Sequence, residues 1–150
     1  VGWTGRSVNP DKKPKYLTEV QPGFVYGLDE QNYNKSFAIV CEGQLDAIHI
    51  DGCALGGSEI SDQQAMLLNR LQKQIIVCPD KDKAGSKLVE QAIEKGWCVS
   101  MPEWSQDVND VGEAVSKYGR LYTLYSIVNA SNESPLKIRL RAKKWFTSEK

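Results

Sequence analysis

No two of the four cysteines stand at C-x-x-C spacing, and the chain has a single histidine, His49. The cysteines fall at positions 41, 53, 78 and 98. That spacing excludes a zinc ribbon or a disulfide framework as the organising feature and predicts buried free thiols in a reducing compartment. No apolar run approaches the roughly 18 residues that a membrane span requires, and no charged-then-apolar leader opens the chain. A cytoplasmic location and no membrane partner are therefore expected. Internal repeats and low-complexity tracts are also missing. Net charge is absent too, since 19 basic side chains balance 19 acidic ones, which argues against a generally basic nucleic-acid binder.

What is present suits one ordinary globular domain with a small annex: 150 residues, of which 41% are hydrophobic. A chain of this length buries about 70% of the surface its unfolded form exposes, so it needs neither disulfides nor a structural metal to fold. Its first residue is Val1 rather than Met, and a piece of a longer protein is expected.

The zero net charge conceals an uneven distribution. Residues 1–36 carry 5 basic and 4 acidic groups, residues 37–120 carry 8 and 13, and residues 121–150 carry 6 and 2. An acidic centre thus lies between a balanced flank and a basic one.

From Phe37 onward, short apolar runs alternate with amphipathic stretches, which predicts repeated βα units and a parallel sheet of about four strands. The runs Phe37-Ala38-Ile39-Val40-Cys41 and Ile75-Ile76-Val77-Cys78 suit strands covered on both faces. Weaker strands are predicted at 53–55 and 97–101, and helices over 45–50, 61–72, 84–95 and 109–118. Ser61 fits an N-cap, and Gly96 and Gly119 fit helix ends. Ser134-Pro135 suits a helix start, but the alternation Lys137-Ile138-Arg139-Leu140-Arg141 suits a strand equally well. The first 36 residues hold three of the six prolines and read as turns and short strands.

In open parallel α/β sheets, ligands lie beyond the carboxyl ends of the strands. There the acids accumulate. The first strand ends in Cys41-Glu42-Gly43 with Asp46 a turn later; the third ends in Pro79-Asp80-Lys81-Asp82; Asp107 and Asp110 follow the fourth. Carboxylates converging on one edge repel and raise one another's pKa unless a cation neutralises them. Hard oxygen donors of this kind suit Mg²⁺ or Mn²⁺.

The combination E-G-x-x-D-A after one strand and D-x-D-x-A-G after a later one resembles the signature of the Toprim domain, over residues 39–47 and 75–85. Leu55-Gly56-Gly57 and Gln106-Asp107-Val108-Asn109-Asp110 resemble two further elements of that family. Upstream, Gly2-Trp3-Thr4-Gly5-Arg6, Lys13-Pro14-Lys15-Tyr16-Leu17 and Tyr26-Gly27-Leu28 resemble, in order and spacing, the basic subdomain preceding Toprim in DnaG-type bacterial and phage primases. Two departures are Thr18, where asparagine commonly follows the P-K-Y-L element, and Gln106, where lysine usually precedes the aspartate.

The resemblance implies a Rossmann-like α/β fold divided as 1–36 (end of the basic subdomain), 37–119 (Toprim) and 120–150 (a basic helical or mixed tail). It implies synthesis of RNA primers on single-stranded DNA from ribonucleoside triphosphates, yielding an RNA/DNA duplex, with a replicative helicase as partner. Glu42, Asp80 and Asp82 would be catalytic and hold Mg²⁺ or Mn²⁺, with Asp46 and Asp107 assisting. Arg6, Lys13, Lys15 and Tyr16 would contact nucleotide or template, guanidinium gripping phosphate oxygens in pairs and lysine acting as a point charge. Two alternatives remain at this level: a Toprim-type nuclease or topoisomerase-like enzyme, and a non-catalytic nucleic-acid-binding Toprim module. His49 and the tryptophans read as packing or surface residues, with Trp104 the one tryptophan near the acidic edge.

Overall fold

The structure, a computed structural model, describes residues 2–9, 11, 13–14, 16–31 and 34–147. Two strands, β1 (Trp3–Arg6) and β2 (Tyr16–Glu19), pair antiparallel as a small separate sheet. The principal sheet contains β3 (Phe37–Cys41), β4 (Cys53–Ala54), β5 (Gln74–Val77), β6 (Cys98–Ser100) and β7 (Ser131–Asn132) in the order β4-β3-β5-β6-β7. The first four are mutually parallel and β7 runs antiparallel along the β6 edge.

The helices are α1 (Gln44–Ile50), α2 (Asp62–Asn69), α3 (Lys83–Glu94), α4 (Val111–Tyr118), α5 (Arg120–Ala130) and α6 (Pro135–Phe146). Helices α1, α4 and α5 pack against one another, while α3 packs against α6. Residues 38–41 and 75–78 are all buried, as expected for central strands covered on both faces. All four cysteines are buried free thiols. Burial pushes the Cys53 thiol up to about 12 and raises those of Cys41, Cys78 and Cys98, so they behave as small apolar side chains. No helix among the described residues is long and apolar enough to cross a membrane.

The fifth strand, β7, was not among the expected strands, because two polar residues, Ser131 and Asn132, carry no hydrophobic period. The ambiguous segment after Ser134 is the helix α6. Pro135 occupies its first turn, where a missing N–H costs nothing. Ile138 and Trp145 are buried, with Ala142 and Phe146 packed against the core. That i, i+4, i+7, i+8 spacing is helical and outweighs the short alternation before it.

Residues 120–147 therefore complete the main core rather than trail from it. Gly119, at φ +83°, lets the chain turn directly from α4 into α5, whose Thr123 and Ile127 are buried while Leu121 and Tyr125 face solvent. Two of the basic side chains of α6 act in docking. Arg139 forms a two-pronged pair with Glu90 of α3, its Nη2 2.9 Å from Oε2. Arg141 Nη1 lies 2.7 Å from Glu103, and its Nε donates to the Met101 carbonyl at 2.9 Å. Trp97 and Trp104 are buried, their indole N–H groups donating to Asn69 and Ser126, each at 2.9 Å. Trp104 is thus a core residue and not a base-stacking surface.

The N-terminal annex is tied to the sheet at residues 24–26. Val25 is buried in the core, and Tyr26 exchanges backbone hydrogen bonds with Ala54 at 2.9 and 3.2 Å. Gln64 strengthens this junction. Its Nε2 donates to the carbonyls of Phe24 and Leu55 at 2.8 and 2.9 Å, while its Oε1 accepts the Ser61 N–H at 3.0 Å and closes a capping box with Ser61. A leucine at position 64 would leave these backbone groups without their side-chain partner in a largely buried place. Gln64→Leu is expected to destabilise the chain by about 2–4 kcal/mol, measured by urea unfolding.

Candidate active site

The register of the sheet sets the site. Val40 of β3 stands opposite Val77 of β5, so Glu42, two residues beyond Val40, and Asp80, three beyond Val77, emerge side by side at the carboxyl edge. They touch: Glu42 Oε1 accepts the backbone N–H of Asp80 at 3.2 Å. Gly85 makes this packing possible, because a Cβ there would collide with the Asp80 carbonyl and stand 3.1 Å from Glu42 Oε1.

Asp82 caps α3, its Oδ1 accepting the Gly85 N–H at 2.8 Å, which fixes the direction of the carboxylate. Asp46, in the first turn of α1, accepts the Gly112 N–H of α4 at 2.8 Å. Asp110 caps α4 through the Glu113 N–H at 2.7 Å.

The electrostatics follow from this crowding. Burial, opposed by the Asp80 N–H and reinforced by the charges of Asp82 and Asp46, raises the Glu42 carboxyl to about 7. Burial, then the charges of Glu42, Asp46, Asp110 and Asp82, raises Asp80 to about 8. Burial likewise raises Asp46, partly offset by its bond from Gly112. Among the described residues no hydrogen-bond donor reaches the Asp80 carboxylate.

Asp107 stands apart. Both its oxygens are bound by Lys117 Nζ, at 2.6 and 2.8 Å, and hydrogen bonds from Lys117 and Ser105 hold its exposed carboxyl down to about 2. Asp110, which the sequence places with Asp107 among the acids after the fourth strand, caps α4 and also adds its charge to the acidic centre, where it bears on both Asp46 and Asp80. The signal for it lies in the same Asn109-Asp110 element that drew attention to Asp107.

Beside these acids, a cavity of about 560 Å³ is lined by Arg6, Asp46, His49, Asp107, Asp110 and Lys117, among others. Arg6 therefore faces the same space as two acids of the centre. Tyr16 pairs with Arg6 across β1 and β2, and Lys13 is exposed in the connection between those strands. Lys15 lies outside the described residues. His49 is exposed, with Nδ1 2.6 Å from the Leu45 carbonyl one turn earlier.

Among the described residues, no three His, Cys, Asp or Glu side chains form a ready-made metal cage. The donor chemistry nonetheless fits a hard divalent cation, which is commonly held by one or two carboxylates together with substrate phosphates and water. A half-buried carboxylate that no donor reaches among the described residues, beside a second one with a raised pKa, is a place where a cation removes an existing repulsion.

An open, mostly parallel α/β sheet with clustered carboxylates beyond β3 and β5, a glycine packed between them and a small sheet on the N-terminal side defines a Toprim-type domain. The chain belongs to the Toprim-like family, whose model matches residues 39–114. Its relatives include the DNA primase of Aquifex aeolicus, 27% identical over 151 residues and covering 89% of this chain and 30% of that protein. The DNA primase of Campylobacter jejuni is 29% identical over 102 residues, 58% of this chain and 17% of that protein. The chain thus spans less than a third of either relative.

Two solved structures share the fold. The zinc-binding and RNA polymerase domains of the Aquifex aeolicus primase superpose with a TM-score of 0.72 at 24% identity, over 98% of this chain and 42% of that one. A DnaG primase catalytic domain bound to single-stranded DNA gives a TM-score of 0.73 at 21% identity, over 95% and 51%.

Proposed function

We propose that this chain is part of the catalytic core of a DnaG-type DNA primase, a cytoplasmic enzyme that joins ribonucleotides into RNA primers on single-stranded DNA. The observation that carries this reading is the contact between Glu42 and Asp80, which places two carboxyls of raised pKa at the carboxyl edge of a Toprim sheet. The primase relatives and the N-terminal elements around Arg6 and Tyr26 support it over a nuclease or topoisomerase-like activity.

Glu42, Asp80 and Asp82 would hold Mg²⁺ or Mn²⁺, with Asp46 and Asp110 adding negative charge close by. Asp107 would assist only after exchanging its Lys117 partner. When bound, divalent ions supply charge neutralisation at the α-phosphate and lower the pKa of the attacking 3′-hydroxyl. The chain's own residues prepare that event. The Asp80 N–H holds Glu42 in place at the sheet edge, where Glu42 is also the candidate base for the attacking hydroxyl. Asp82 is oriented by its capping bond to Gly85. Arg6, which lines the same cavity as Asp46, would bind a phosphate of nucleotide or template, with Lys13, Lys15 and Tyr16 contributing from the same annex. A replicative helicase is the proposed partner.

The test is Mg²⁺-dependent ribonucleotide incorporation on a single-stranded template by the protein carrying this chain. Glu42→Gln keeps the acceptor for the Asp80 N–H but removes the charge, and should lower incorporation about a hundredfold or more. Strand cleavage without synthesis would overturn the reading.

A further inference from the structure

We propose that Lys117 is a phosphate-binding residue held in reserve by Asp107. It clasps that carboxylate in the free chain and transfers to a phosphate of the incoming nucleotide, so that Asp107 becomes available to a divalent cation only when the nucleotide arrives. The inference rests on the metal-and-nucleotide reading above and adds the coupling between the two ligands. Lys117 stands in the last turn of α4, where its Nζ donates to the two oxygens of Asp107 at 2.6 and 2.8 Å and to Ser105 Oγ at 2.8 Å. Ser105 is held in turn by Tyr118, whose hydroxyl lies 2.6 Å from Ser105 Oγ and accepts the Ser105 N–H at 3.0 Å. An ammonium has three donors, and all three are committed here.

The way Asp107 is held sets it apart from its neighbours. Among the described residues, Asp46, Asp110 and Glu113 line the same cavity of about 560 Å³. Asp46 accepts the Gly112 N–H at 2.8 Å, while Asp110 and Glu113 accept the N–H groups of Glu113 and Asn109 at 2.7 Å. Those donors belong to the backbone around the start of α4 and are fixed by the helix. The clasp on Asp107 comes instead from a long side chain, and both partners are substantially exposed. Exposed ion pairs add little to stability, because water screens them and two side chains must be ordered to form them. Lys117 can therefore let go without disturbing the fold. Asp107 stays ionised down to about 2, so near neutral pH a competing ion, and not a proton, must part the pair.

Neither ligand alone is a good competitor. A cation taking Asp107 would leave the Lys117 ammonium unpaired beside it. A phosphate taking Lys117 would leave Asp107 ionised in a space shared with three other acids. Arriving together, the two replace one ion pair with two. Arg6 lines this cavity as well, so one polyphosphate would meet lysine as a point charge and arginine through paired N–H groups.

The test presents each ligand without the other. Mn²⁺ is titrated into the chain in the absence of nucleotide, and the free aqua ion is followed by electron paramagnetic resonance. Lys117→Gln should bind Mn²⁺ about tenfold tighter than the original chain, because Asp107 is released. In a chain already carrying Asp107→Asn, the same change should alter the affinity by no more than about twofold, whereas the mere loss of a positive charge would tighten binding equally in both backgrounds. The mirror experiment uses ATP without metal, followed through the ¹⁵N–¹H signal of Gly112 in the cavity wall. Asp107→Asn should tighten ATP binding about tenfold by freeing Lys117. Lys117→Gln should then weaken it about tenfold in the Asp107→Asn chain and less than about twofold in the original one. Equal tightening of Mn²⁺ in the two backgrounds, or no gain of ATP affinity in Asp107→Asn, would overturn the inference. Primer synthesis accompanied by such additive binding would sink this inference alone; coupled binding in a protein that makes no primers would sink the primase reading and leave the coupling intact.

Discussion

Asp80→Asn is expected to lower primer synthesis about a thousandfold while making the metal-free chain more stable. The two effects have one cause. Asp80 is half-buried, without a donor among the described residues, and surrounded by Glu42, Asp46, Asp110 and Asp82, so its ionised form is unfavourable in the metal-free chain. That same unfavourable charge is what would attract a divalent cation and be relieved by it. Asparagine removes the repulsion and the metal-binding charge together. Above pH 8 the metal-free variant should unfold about 1–3 kcal/mol later than the original chain. The difference should shrink as the pH falls and approach zero only near pH 4, where the unfolded chain takes up the proton as well. A thousandfold loss corresponds to about 4 kcal/mol of transition-state stabilisation. Incorporation assays and urea unfolding at the two pH values test both halves; activity within tenfold of the original would remove Asp80 from the proposed chemistry. Stability gained at the expense of function is the expected mark of a functional site.

A second large effect concerns pH and metal together. Glu42 and Asp80 hold protons more tightly in the folded chain than in the unfolded one, with values of about 7 and about 8 against ordinary values of 4.5 and 3.8. Between about pH 4 and 8 the folded state therefore binds more protons, and raising the pH through that window favours unfolding. The penalty is absent below the window and complete above it. Asp107 has the opposite sign: its folded value of about 2 lies below 3.8, so its contribution is present above pH 4 and is lost as the pH falls toward 2. The metal-free chain should thus be most stable near pH 4 to 5, with a melting temperature about 10 °C lower at pH 8.5, on the basis of roughly 3 °C per kcal/mol for a chain of this size. Millimolar Mg²⁺ or Mn²⁺ should recover much of that loss at pH 8.5 and change little at pH 5, because only ionised carboxylates bind. Thermal melts at the two pH values, with and without metal, test this. A metal effect as large at pH 5 as at pH 8.5 would count against carboxylate ligation.

The central strands and most helices are legible in the sequence because their patterns are local. The apolar run 37–41 is β3 at both ends, and Ser61, Gly96 and Gly119 mark helix limits as their cap chemistry predicts. The acidic residues after β3 and β5 are legible for the same reason, since a parallel sheet brings successive strand ends to one edge. The C-terminal third is less so. An alternating stretch of five residues fits a strand until Ile138, Ala142, Trp145 and Phe146 are seen to face one core. Charge was also less informative than it looked. A basic flank suggests contact with a polyanion, but Arg139 and Arg141 largely hold α6 to α3 and to the segment after β6.

By itself, then, the sequence determined the βα order, the Toprim-type motifs and the set of acids available for chemistry, because each depends on residues close together in the chain. Only the tertiary structure decided how those acids divide. Asp110 adds its charge to Asp46 and Asp80, while Asp107 is bound to Lys117. The tertiary structure also placed Lys81 over Trp145, 64 residues away by number, and Gln64 against the carbonyl of Phe24. These pairings depend on strand register and on which helix faces meet, and both are fixed by the packing of the whole core rather than by any local pattern.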